Sequence, residues 1–115
     1  MSEVGERFNQ DKAKWSLLDY PTIEGLVEVL GFGMRKYAAH NWKKGLPYTE
    51  IVDSLQRHLK SFMDGEELDP ESGLHHVDHM QCNTMFLAYM SKHRPDMDDR
   101  YKGPANQLEL FPDDK

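Results

Sequence analysis

Residues 57–83 read RHLKSFMDGEELDPESGLHHVDHMQCN, and their reading decides the fold. The stretch begins inside one amphipathic pattern and ends inside another. Between them, residues 64–73 hold five acids together with Gly65, Pro70 and Gly73. Glycine and proline interrupt helices and clustered acids prefer water, so the middle is a turn and the flanks are two helices. Four of the six histidines, His58, His75, His76 and His79, fall in the same stretch.

Upstream of the turn, a helix is expected from about Tyr48 to Met63. Ile51, Val52, Leu55, Leu59 and Phe62 make its apolar face, and His58 lies close enough to that face to be partly buried. Downstream, Asp69 and Pro70 read as N-cap and first residue of a helix that runs to His93. On it His76, His79 and Asn83 share a side with Met80, Phe86, Leu87 and Met90, whereas His75 and Asp78 point outward. Buried polar groups must be hydrogen-bonded or ligated, so three of them in one apolar stripe require a reason. His58, Asp69, Glu71, His76 and His79 form a first constellation. Imidazole with carboxylate suits Mn, Fe, Ni or Zn. The alternative is a hydrogen-bonded polar core that keeps two helices in register.

Further out, a third helix is predicted from Pro21 to Ala39, with Ile23, Leu26, Val27, Leu30, Met34 and Tyr37 on one face. Gly25, Gly31 and Gly33 each cost about 1 kcal/mol relative to alanine in a helix interior. They therefore mark close packing or the approach of a ligand. Glu24 and Glu28 here, and Glu50 and Asp53 on the next helix, make a second, acidic constellation. It is either a Mg site for polyphosphate chemistry or two ordinary solvated faces. Ahead of this helix, residues 11–21, DKAKWSLLDYP, read as an extended arm that packs back on the helices through Trp15, Leu17, Leu18 and Tyr20. Lys12 or Lys14 in the arm could instead meet a phosphate. Residues 40–47, HNWKKGLP, form a loop in which Trp42 is a packing anchor or a base-stacking ring.

The expected architecture is all-α, a small bundle of three main helices with extended N- and C-terminal arms. Residues 1–93 form the helical domain, and residues 94–115, rich in Pro, Asp and Lys, form a disordered tail. A 115-residue chain buries only about two thirds of its unfolded surface, so a homo-oligomer is expected to complete the core. The net charge of −6 argues against direct nucleic-acid or membrane-surface binding. A nucleotide site is compatible with it, because a divalent cation offsets phosphate charge. A single cysteine, Cys82, rules out an internal disulfide and fits a reducing cytoplasm. The polar first twenty residues suggest no secretory leader, and no apolar run approaches a membrane span.

A resemblance adds to this reading. Residues 10–89 resemble the phage and bacterial dATP/dGTP diphosphohydrolase family, a MazG-like group of small all-α proteins. The residues that carry it are Asp11-Lys12, Lys36-Tyr37, Asn41-Trp42, Gly45, Arg57-His58-Leu59, Gly65-Glu66, Asp69-Pro70-Glu71-Ser72-Gly73, His76, His79 and Asn83. The resemblance implies hydrolysis of a purine deoxynucleoside triphosphate to monophosphate and pyrophosphate. It also implies a divalent metal, Mg or Mn or another transition ion, and a bacterial or phage-infected host cytoplasm. Glu28, Asp69, His76 and His79 are the expected metal ligands. Glu71 is the expected base with His58 as the alternative. Lys12, Lys36 and Arg57 are expected on phosphates, Trp42 or Tyr37 on the base, and Asn83 on the substrate. The wider MazG group has EExxE followed by ExxD, and here Gly25 stands at the second Glu. Alternatives from other classes are a nucleotide-sequestering protein that cleaves nothing and a replication adaptor. The adaptor reading rests on Gln107-Leu108-Glu109-Leu110-Phe111, which resembles the pentapeptide that docks bacterial replication proteins on the sliding clamp. Of its clamp-binding residues Gln107, Leu108, Leu110 and Phe111, Leu110 and Phe111 would enter an apolar pocket while Gln107 hydrogen-bonds nearby; the alternative is a tail segment that covers this protein's own core or a neighbouring subunit.

Overall fold

A computed structural model of the chain describes residues 3–103. Among them are three α-helices and no strand: α1 (Tyr20–Lys36), α2 (Tyr48–Met63) and α3 (His76–His93). Short 3-10 turns at Trp15–Leu17, Asn41–Lys44 and Pro95–Met97 connect or flank them. None of these helices is long and apolar enough to cross a membrane.

The α2–α3 pair is the centre of the fold. The two helices run antiparallel. Tyr48 Oη donates to the Met90 carbonyl at one end (3.5 Å), and His58 meets His76 at the other. Tyr48, Ile51 and Met90 are buried between them, and Trp42, Leu46, Phe86, Leu87, Tyr89 and Met97 close around that cluster. α2 begins and ends where its amphipathic pattern predicts. Its N-cap, Pro47, has no hydrogen-bonding side chain to offer. The cap comes from far along the chain: the Asp99 carboxylate accepts from Thr49 N (2.9 Å) and Thr49 Oγ1 (2.5 Å). Packing therefore continues past His93, where the sequence predicts the tail to begin. Arg94 also donates to the Lys44 carbonyl at 3.0 Å.

α3 starts six residues later than expected, at His76 rather than Pro70. The intervening residues fold into a compact turn instead. Asp69 Oδ2 accepts from Ser72 N and Ser72 Oγ, both at 2.9 Å. Gly73 takes a positive φ of 72°, and Leu68 pairs with His75 in an isolated bridge. Asp and Ser side chains offer the backbone an alternative to helical bonds, and a left-handed glycine cannot sit inside a helix. Asp69 thus caps a turn and not α3.

α1 starts on an Asp19 cap, whose side chain accepts from Thr22 N and Thr22 Oγ1. It ends at Lys36, three residues short of the expected Ala39. It packs chiefly on α3. One neighbour covers only a narrow strip: Val29 is buried and Ile23, Leu26 and Leu30 are half-buried, while Val27, Met34 and Tyr37 stay exposed. At the crossing, a Cβ on Gly25 would lie on the Asp78 carboxylate. That is the physical reason for glycine here, and it makes Asp78 an interhelical residue and not the outward one expected. The N-terminal arm departs from expectation too. Trp15 is 71% and Leu17 85% exposed, so the arm does not pack back on the helices.

Candidate metal centre

The turn between α2 and α3 brings three metal-binding side chains to one point. His58 projects from α2, one turn before the helix ends. His76 is the first residue of α3, and Asp69 sits in the turn that joins them. One ligand atom from each lies within 4.8 Å of the other two, the one such group among the described residues. His58 Nδ1 and His76 Nδ1 are 2.8 Å apart. Two imidazole lone pairs at that distance repel unless a proton or a cation lies between them. His76 Nε2 is held by Glu66 Oε1 at 2.7 Å, which orients the ring and leaves Nδ1 turned to the site.

His79 stands behind this group. Its ring stacks on His58 with centroids 4.4 Å apart, nearly parallel, and its Nε2 meets Ser72 Oγ at 2.7 Å. The Asp69 carboxylate is 3.9 Å from the same nitrogen. Phe32 of α1 approaches the His79 ring edge-on, with centroids 6.4 Å apart. Burial lowers the pKa of His58 and of His79, and the neighbouring histidines reinforce this, while Asp69 opposes it. Burial raises the Asp69 carboxyl. The two hydrogen bonds from Ser72 and the charges of His79 and His58 outweigh it and leave the pKa lowered. These shifts favour the neutral imidazoles of His58 and His79 and the ionised carboxylate of Asp69, the forms that ligate cations.

Residues 2–100 match the family described as dATP/dGTP diphosphohydrolase, N-terminal. The chain belongs to this family. A Salmonella phage PMBT28 protein named dATP/dGTP diphosphohydrolase is 36% identical over 97 residues, which cover 84% of this chain and 33% of that protein. The chain thus spans about a third of the length of that relative. No solved structure matches.

Of the residues expected at the site of this family member, the structure brings His58, Asp69 and His76 together. His79 touches their shell through stacking and Ser72. Glu71 is reached from α1: Lys36 Nζ lies 2.6 Å from Glu71 Oε2, a link that raises the Lys36 pKa. Tyr37 is exposed beneath the Lys36 ammonium, 5.4 Å from it. Arg57 and Asn83 line a cleft of about 360 Å³ on the α2–α3 groove. Three expected residues stand apart. Glu28 is exposed on α1 and joins no such ligand group among the described residues, nor do Glu24, Glu50 and Asp53. Lys12 lies in the exposed arm, its carbonyl accepting from Lys14 Nζ at 3.2 Å. Trp42 is stacked on Phe86 at 4.7 Å and set edge-on to Tyr89, inside the apolar cluster. Phe86 is seven residues beyond His79, ~10 Å along the helix. Gln107, Leu108, Leu110 and Phe111 lie outside the described residues.

Two participants escaped the sequence reading. Glu66 orients His76, and Ser72 links Asp69 to His79. The signal for Ser72 was present as an Asx-turn pattern, an Asp followed by Ser and Gly. Glu66 was named only within the Gly65-Glu66 pair that carries the resemblance, with no role, because nothing local says which acid meets a histidine ten residues away.

Proposed function

We propose that this chain carries the catalytic centre of a purine deoxynucleoside triphosphate diphosphohydrolase, with His58, Asp69 and His76 holding a divalent cation. The observation that carries the proposal is the 2.8 Å approach of the two Nδ1 atoms with the Asp69 carboxylate beside them. The donor set fits the cation: two imidazole nitrogens and an ionised carboxylate suit Mn, Fe, Ni or Zn better than Mg. The substrate class comes from the family and from the name of the phage relative. When bound, a divalent cation here neutralises phosphate oxygens and lowers the pKa of the attacking water.

The chain's own residues do the rest. Glu66 holds the His76 ring in place, and Ser72 fixes both Asp69 and His79. Glu71 accepts the proton of the water that attacks the α-phosphorus. The bond from that phosphorus to the α–β bridging oxygen breaks, and pyrophosphate leaves. Lys36, at rest on Glu71, is placed to move onto phosphate oxygens, which frees the Glu71 carboxylate for its role. The cell compartment consistent with this reading is the bacterial or phage-infected cytoplasm.

The test is product formation. The purified chain is incubated with each deoxynucleotide and Mg or Mn, and monophosphate and pyrophosphate are measured. Turnover of dATP or dGTP that chelator abolishes is expected, and His58→Ala and His76→Ala should each lower it at least a hundredfold. Undiminished turnover in both variants would remove the catalytic centre from this cluster. Tight binding without pyrophosphate would replace hydrolysis by sequestration.

A further inference from the structure

We propose that the outer side of α1 is a homodimer interface, on which α1 of a second copy of this chain lies antiparallel. The proposal stands apart from the nucleotide reading and needs neither substrate nor cation.

α1 is apolar on two sides. One stripe faces α3: Val29 is buried, Gly25 abuts Asp78, and Phe32 meets His79 edge-on. At ~100° per residue, a second stripe runs along the opposite side through Tyr20, Ile23, Val27, Leu30, Met34 and Tyr37. Its steps alternate three and four residues, the spacing by which one helix keeps a seam against another. Tyr20 is 62%, Val27 59%, Met34 52% and Tyr37 65% exposed, and Ile23 and Leu30 are half-buried. A helix on the surface of a globular protein turns one stripe to the core and charges to water, so the second stripe needs a cover of its own. The single chain is short of core as well: only five apolar residues are buried among those described.

Size, fit and charge identify the cover as a second copy. The seam is ~26 Å long. With a tyrosine ring at each end it can remove ~500–700 Å² per chain from water, and two such faces exceed the ~1,000 Å² that a specific interface needs. A two-fold axis through its middle sets Tyr20 on Tyr37, Ile23 on Met34 and Val27 on Leu30, so each apolar member meets another. Gly31 and Gly33 flank the seam. A Cβ on Gly33 would meet nothing within 4 Å, and one on Gly31 only the Arg35 side chain of its own helix, at 3.4 Å. The chain alone gives no reason for two residues that weaken a helix, whereas the close approach of a second helix gives one. Charge fixes the direction. Glu24, Glu28 and Arg35 share one flank of the seam, and none of them forms an ion pair among the described residues. In an antiparallel pair this flank meets its own copy reversed, which brings Arg35 of one chain to Glu24 of the other. A parallel pair would set it against Leu26 and Gly33 instead. Tyr20 of one copy then stands by Tyr37 of the other, so the exposed arm of each copy joins α1 at the level of the other's Lys36–Glu71 ion pair.

The experiment weighs the full chain by light scattering over a range of micromolar concentrations, without nucleotide or metal. A particle of twice 13.4 kDa is expected. Val27→Glu/Met34→Glu should return the mass to 13.4 kDa, because two charges per chain would be buried in the seam and weaken association at least about a hundredfold. Both positions are more than half exposed in the single chain, so its helical circular dichroism should not change. Direction is read from Tyr20→Cys and Tyr37→Cys, with Cys82 buried and out of reach. Mixed and oxidised, the two variants should link to each other. Tyr20→Cys alone should not link, because its two copies lie ~25 Å apart, beyond the span of a disulfide. A monomer at every concentration, a dimer that survives the folded double glutamate variant, or linkage of Tyr20→Cys to itself overturns the proposal. If the glutamate variant unfolds, the mixed pair decides, and its failure to link overturns the proposal too.

Discussion

At one end of the α2–α3 pair, Tyr48, Ile51 and Met90 pack with Trp42 and Phe86. At the other, His58, His76 and His79 meet Asp69 and Ser72. The two ends belong to the same two helices and obey the same geometry, yet they are held differently. The apolar end is non-directional: it gains from area removed from water and tolerates small shifts. The polar end is directional, and each ring nitrogen needs a named partner. The first end holds the helices together so that the second can keep two imidazole nitrogens 2.8 Å apart. Apolar packing and the polar cluster are thus separated along one groove, and mutations can pull them apart.

The largest effect is expected at the apolar end. Met90 is fully buried. Met90→Ala should lower stability by about 2–5 kcal/mol, read as a shifted denaturant midpoint. A loss below about 1 kcal/mol would mean that this end does not anchor the pair. Next comes the α1–α3 crossing. Gly25→Ala gains about 1 kcal/mol of helix propensity but meets the Asp78 carboxylate, and overpacking of about 1–3 kcal/mol wins. Net destabilisation is expected, relieved in the double variant Gly25→Ala/Asp78→Gly. Additivity in that cycle would show that the two residues do not touch.

At the polar end the sign of the comparison reverses. Glu66→Ala should weaken Mn binding by about 10- to 100-fold, because His76 loses the partner that orients it, while thermal stability barely moves. A large drop in melting temperature with unchanged Mn affinity would make Glu66 a structural residue instead. The smallest effect is the borrowed cap. Hydrogen bonds from Thr49, side chain first and then backbone, lower the Asp99 pKa. A depressed carboxyl pKa contributes stability that is present above its unfolded value and is lost as pH falls through the folded value. Asp99→Asn should therefore lower stability slightly at neutral pH, leave it nearly unchanged at low pH, and so flatten the acid limb of the stability curve. A thiol reagent gives an independent reading of the packed interior. Burial pushes the Cys82 thiol up to about 12, so alkylation of the native chain should be far slower than that of the unfolded chain.

Much of this was legible in the chain. α2 was readable end to end, since its amphipathic face is bounded by Pro47 and by Asp64-Gly65. The three-helix, all-α architecture was readable for the same reason. The candidate ligand group was partly legible: His58, Asp69 and His76 could be picked out by position on predicted faces, and the structure brings them together. His79 shares the stripe of His76, and from the sequence the two looked equivalent. They are not, because Ser72 engages the His79 nitrogen while Glu66 turns the His76 ring toward His58. Glu28 was chosen from a motif pattern, and in the structure it is exposed on α1 and outside the group of His58, Asp69 and His76.

By itself the sequence determined the periodic elements, the break between α2 and α3, and the residue types gathered at that break. Those are local properties, set by side-chain spacing and by Gly, Pro and Asp at fixed positions. Only the tertiary structure decided where α3 begins, what Gly25 accommodates, which histidine nitrogens meet, and that Asp99 caps a helix from fifty residues away. Each of these depends on a contact between distant segments, and its energy exists only once the helices are packed.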